Sequence, residues 1–94
     1  MTELLITEGA TEVPVQAPAV AKGSIECKIT ADRAGTQLLW VRHCVVRDGA
    51  VTIPPTIAVL DLPRVLGGMA KRRVWLHVTH GADTTTTPLQ LIRA

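Results

Sequence analysis

The chain contains no phenylalanine and no tyrosine. Two tryptophans, Trp40 and Trp75, carry all of its aromatic mass. With 47% of 94 residues hydrophobic, a core must therefore be assembled from Val, Leu, Ile and Ala around two indoles. Branched aliphatic side chains pack best on a pleated surface, so this composition favours β-sheet. A single domain spanning 1–94 is expected at this length.

Long apolar runs are also missing. No stretch reaches eighteen consecutive apolar residues, which excludes a membrane-spanning helix. The start, MTELLITEG, carries acids and a broken apolar run, so no secretory leader is expected there. The default expectation is a cytoplasmic protein, or a virion protein if the chain is viral. In a reducing compartment Cys27 and Cys44 are most simply free thiols, although a bridge stays open if their strands pair.

Chemistry-bearing motifs are sparse. Ser24 is the lone serine, and no nucleophile elbow surrounds it. There is no phosphate-binding glycine loop, no C-x₂-C and no H-E-x-x-H. The metal-capable residues are His43, His77, His80, Cys27 and Cys44. In a strand, His77 and His80 point to opposite faces, because the side-chain period is two. The sequence therefore predicts no catalytic residues, no metal site and no cofactor. A non-enzyme is expected, with a small enzyme or metal-binding protein using the histidines and Cys44 as the remotest alternative.

What is present is alternation. SIECKIT, 24–30, places Ile25, Cys27 and Ile29 on one face and Glu26, Lys28 and Thr30 on the other, the pattern of a half-buried strand. ADRAG, 31–35, reads as a turn. TQLLWVRHCVVR, 36–47, reads as a long strand that is apolar at both parities. Asp48-Gly49 then AVTI is a hairpin signal, and Pro54-Pro55 ends that strand. Ile57–Leu60 suits a strand, and Asp61 with Pro63 opens at most one helical turn over 61–66. RVWLHVTH, 73–80, alternates again. GADTTTTP reads as a polar loop, and LQLI, 89–92, as a final strand. Residues 1–22, broken by Pro14 and Pro18, form an edge strand or an extended arm. Six to seven short strands of this kind predict an all-β fold, a small antiparallel sandwich or partly open barrel.

The stretch WVRHCVV, 40–46, sets histidine beside cysteine. Strand geometry separates them, because neighbours in a strand face opposite ways. His43 and Cys44 are thus not expected to act as a pair.

Charge is small overall, at +2, but unevenly placed. Residues 1–30 hold Glu3, Glu8, Glu12 and Glu26 against Lys22 and Lys28, a net of −2. Residues 62–94 hold Arg64, Lys71, Arg72, Arg73 and Arg93 against Asp83, a net of +4. Such asymmetry can align copies head to tail or mark one basic end.

Two binding readings follow. The first is protein binding, most simply to copies of itself or within a larger assembly. It rests on the surplus of apolar material and on tryptophan and arginine together, which are enriched at protein contacts. Leu39, Trp40, Arg73 and Trp75 are the expected contact residues, with 11–20 as a possible arm. The alternative is a nucleic-acid-binding module. It rests on the basic cluster Lys71, Arg72 and Arg73 running into Trp75 and His77, a miniature stacking platform. No motif ties the chain to a known family. The size and all-β pattern suit a virion component such as a decoration or connector subunit, by analogy of type alone.

Overall fold

The computed structural model of the protein describes residues 2–7, 9–16 and 23–94. The expected arm is described only as far as Gln16, and Pro18 lies outside the described residues. Strands take 60% of the described residues. They are β1 (Thr2–Ile6), β2 (Thr11–Glu12), β3 (Gly23–Thr30), β4 (Leu38–Arg47), β5 (Ala50–Ile53), β6 (Thr56–Ile57), β7 (Lys71–His80) and β8 (Asp83–Arg93). A 3₁₀ turn, Val59–Asp61, leads directly into α1 (Leu62–Leu66), the one α-helix among the described residues.

Six strands form a curled sheet in the order β1-β8-β7-β3-β4-β5, and β2 pairs with β6 as a small second sheet. The result is a half-barrel, which agrees with the expected all-β sandwich or partly open barrel. Strands β3, β4 and β5 run as a meander. The chain then crosses over so that β7 lies on the other side of β3. That spatial order is a Greek key, the connection found in most β-sandwiches. One pairing is not antiparallel: β1 runs parallel to β8, with Thr2 opposite Leu89 and Ile6 opposite Arg93.

The core fills the concave side. Ile25, Cys27 and Ile29 of β3 meet Trp40, Cys44 and Val46 of β4, Val74, Leu76 and Val78 of β7, and Leu89 and Leu91 of β8. Val13 and Ile57 close it from the second sheet, and Val65 and Leu66 from α1. Every one of these side chains is aliphatic, thiol or indole, as the missing Phe and Tyr require.

Three local expectations change. The threonine run is strand, not loop: β8 begins at Asp83 and pairs along the whole of β7, from His80 opposite Asp83 to Lys71 opposite Ile92. Threonine is β-branched and suits a ladder, and the Gly81-Ala82 turn (Gly81 φ 62) supplies the tight reversal. Secondly, the strand expected over Ile57–Leu60 stops at Ile57. The Asp61 carboxylate accepts the Ala58 N–H at 3.0 Å and draws the chain into the 3₁₀ turn. Pro63, in the first turn of α1, needs no amide partner there. Thirdly, a β-bulge between Ile29 and Thr30 shifts the register of β4. It places Leu38 opposite Thr30, on the outer side, while Leu39 packs against the core. A bulge adds one residue and resets the alternation beyond it, so the simple parity that grouped Leu39 with Val41 and His43 fails at that end.

Candidate functional site

The convex face of the large sheet is the natural place to look, because the second sheet covers only the concave side. On β4 and β5 this face carries aliphatics. Leu38, Val41 and Val45 point outward along β4, and Ile53 of β5 lies directly opposite Val45. Leu38 is 53% exposed, Val45 40% and Ile53 60%. His43, exposed, sits between Val41 and Val45. Opposite-facing Cys44 is buried on the core side, so the two side chains never share an environment. A row of large aliphatics on an edge of the sheet departs from the polar outer face that a half-solvated antiparallel sheet normally shows.

The centre of the face holds a polar knot instead. His77 on β7 points outward yet is only 6% exposed. The turn at 31–37 lies across it, with Gly35 close enough that a Cβ there would meet the ring at 3.6 Å. Gly35 has φ 81, a conformation that suits glycine. The Thr30 hydroxyl donates to the Asp32 carbonyl at 2.6 Å. Its one proton is thereby committed, so at its 2.7 Å contact with His77 it must accept from Nε2–H. Nε2 therefore carries a proton, and in the neutral ring, which burial favours, Nδ1 accepts from the Thr86 hydroxyl at 3.0 Å. Burial lowers the His77 pKa, Lys28 opposite it on β3 adds to the lowering, and Asp32 opposes both. Asp32 itself is held down to about 2, first by the Thr36 hydroxyl and then by the Gln37 amide.

The third feature is the 3₁₀ turn and α1. Val59 is half exposed and Leu60 is 93% exposed. The turn beneath them is pinned from two sides. Arg42 grips the Asp61 carboxylate with a two-toothed contact at 2.8 and 2.9 Å. Arg72 donates to the carbonyls of Arg64 and Val65 at the end of α1, at 3.4 and 3.2 Å. Those carbonyls are among the orphan acceptors of any helix C-terminus. Gly67, φ 60, closes the helix in the left-handed conformation.

The expected site residues scatter over this architecture. Trp40 faces the core at 3% exposure, with the Arg42 guanidinium 5.9 Å from its ring centroid. It is packing material in this chain, as is Leu39, because both fall on the concave side of β4. Arg73 and Trp75 do face outward, and the Arg33 guanidinium stands 5.8 Å over the Trp75 ring. Strand parity divides the basic cluster Lys71, Arg72 and Arg73, while Arg73, Trp75 and His77 share one face as their common parity requires. Lys71, Arg73, Trp75 and His77 share the outer face, whereas Arg72 turns to the core side and caps α1. His77 is buried under the 31–37 turn and is not open for stacking. Among the described residues, no three His, Cys, Asp or Glu side chains cluster as a metal site. No described helix is long and apolar enough to cross a membrane.

The thiols meet. Cys27 and Cys44 Sγ atoms lie 3.8 Å apart, fully buried and unbridged. They are diagonal neighbours, since Cys27 pairs with Arg42 and Cys44 with Ile25. Burial first, and then the facing thiol, pushes the Cys27 thiol up to about 12. Such a group is a small hydrophobe rather than a nucleophile.

Sequence reasoning missed the Leu60 turn, the His77–Thr30–Thr86 knot and the Leu38–Ile53 row. Only a bulge, a loop fold-back and a strand pairing bring their parts together, and none of these has a local signature.

No known protein family matches the chain, and no curated protein matches it. Among solved structures, the chain is similar to a crystal structure described as an engineered protein, at 14% identity and a TM-score of 0.55. The match covers 99% of this chain and 18% of that one, so the chain spans under a fifth of the length of the protein it resembles. The likeness concerns fold alone.

Proposed function

We propose that this chain is a non-enzymatic, protein-binding β domain that associates with copies of itself as part of a homo-oligomer or a larger assembly of the virion type. The observation that carries the reading is the outward aliphatic row Leu38, Val41, Val45 and Ile53 at the β4–β5 edge. Exposed apolar side chains are ordinary when single, but four along one edge of a sheet, with His43 between two of them, are a feature of contact surfaces. A second copy is the occupant the row fits best. Related by a two-fold axis, it lays the same row against itself and buries Ile53 and Val45 of both chains. Arg73 and Trp75 lie on the same convex face and would flank such a contact. The nucleic-acid reading ranks behind it, because only Lys71, Arg73 and a half-buried Trp75 remain available to a nucleic acid.

Sedimentation velocity over a wide concentration range tests the proposal. The wild-type chain should show a concentration-dependent larger species. The double variant Val45→Glu/Ile53→Glu, changed only at exposed positions, should keep its far-UV circular dichroism and lose the two-fold species. A wild-type chain that remains monomeric at millimolar concentration overturns the self-association.

A further inference from the structure

The Leu60 turn has properties that a mere connection does not need. Its apolar side chains stand in solvent while the backbone under them is held by Asp61 to Ala58, Asp61 to Arg42 and Arg72 to the end of α1. A rigid turn that displays an exposed leucine is pre-organised for contact, since little freedom is lost when it docks. Cations flank it. Arg64 is on α1, and Arg93 lines the same depression as Val59 and Leu62. Among the described residues neither is in an ion pair. An apolar knob flanked by cations wants an apolar seat with acid at its rim.

The same chain offers one. Between β1, β2 and β5 lies a shallow cleft of about 430 Å³, walled by Leu4, Val15, Val51 and Pro54, with Pro14 and Glu12 at its mouth. Glu12 is exposed and carries the only charge among the residues lining it. The charge asymmetry of the sequence runs the same way, with the acidic excess in residues 1–30 and the basic excess in 62–94.

We infer that the Val59–Leu60 knob of one copy docks into the Leu4–Glu12–Pro54 cleft of a second copy, with Arg64 and Arg93 facing Glu12. This rests on the reading that the chain self-associates, and it adds a head-to-tail contact to the two-fold one. Knob and cleft are different surfaces, so each docked copy leaves one knob and one cleft free. Such a contact builds a ring or an open filament rather than a closed pair.

A mixing experiment tests it. Leu60→Asp removes the knob and leaves the cleft; Glu12→Arg/Pro14→Arg spoils the cleft and leaves the knob. All three substitutions are at exposed positions, and circular dichroism checks that both variants fold. Each variant alone should lose the head-to-tail species, with at least a tenfold weaker association by sedimentation. Carried in the Val45→Glu/Ile53→Glu background, which removes the two-fold contact, and mixed in equal amounts, they should form a one-to-one heterodimer and stop there, because the intact knob of one meets the intact cleft of the other. If Leu60→Asp assembles like wild type, the docking contact is wrong while self-association stands. If both variants dissociate but the mixture gives no heterodimer, the knob seats elsewhere and the inference is overturned. A wild-type chain that is monomeric throughout removes the self-association reading itself.

Discussion

The His77 knot makes a sharp energetic prediction. Thr30→Val keeps the shape and the β-branch of a fully buried side chain and deletes only the hydroxyl. Two contacts go with it, one to the Asp32 carbonyl and one from His77 Nε2–H. Each ordinary hydrogen bond contributes about 1 kcal/mol net, and an abandoned buried donor costs a further ~1–3 kcal/mol. The expected loss is therefore about 3 kcal/mol, a large share of the ~5–15 kcal/mol available to a small domain. With a urea dependence of roughly 1–1.5 kcal/mol/M, the unfolding midpoint should fall by about 2 to 3 M. Thr86→Val is the internal control. It removes a similar contact, to Nδ1, but Thr86 is exposed and water can replace its hydroxyl, so the loss should stay under about 1 kcal/mol. The pH dependence has a definite sign. Because the folded His77 pKa is lowered below 6.5, the unfolded chain binds the proton first as pH falls. The contribution is complete above pH 6.5 and is lost as pH drops from there through the folded value. Asp32, held at about 2 against an ordinary 3.8, acts in a separate and more acid window. Urea titrations of the wild type and both variants at several pH values check all of this. Equal losses for Thr30→Val and Thr86→Val, or a wild-type stability that rises between pH 6.5 and 5, would refute the tautomer and burial assigned to His77.

Two further outcomes are expected. Cys27 and Cys44 should resist a thiol-specific disulfide reagent at pH 8 in the native state and react together on unfolding, since both are buried and Cys27 titrates near 12; rapid native labelling would show that the strands open locally. Gly67→Ala should destabilise by about 1–2 kcal/mol from its positive φ, with the flexible Arg72 guanidinium, 2.8 Å from the new Cβ, swinging away from the Arg64 and Val65 carbonyls; an unchanged thermal midpoint would mean that α1 is not held as described.

Alternation carried most of the fold. Ile25, Cys27 and Ile29 face inward as the period of two requires, and so do Val74, Leu76 and Val78. The Asp48-Gly49 turn lies where hairpin chemistry put it, with both residues at positive φ. Residues with mixed tendencies were harder to place. Thr84–Thr87 read as loop because polar residues cluster there, but they pair with β7 because the β7 backbone needed partners along its whole length. Leu39 changed sides because one bulged residue near Thr30 shifts the alternation. Arg72 looked like one member of a basic cluster, yet parity turns it toward the carbonyls of α1.

The sequence alone determined the class of the fold and its materials. Without Phe or Tyr, the core had to be mainly aliphatic, its β-branched share and the alternation of 24–30 and 73–80 favoured sheet, and the separation of His43 from Cys44 followed from strand geometry. Only the tertiary structure decided which apolar residues are left over. Leu60 sits in a turn held by Arg42 from a strand nineteen residues earlier, and Ile53 is outward only because it pairs with Val45. Exposure is a property of what packs against a side chain, and those neighbours are distant in the chain. A local pattern cannot encode them.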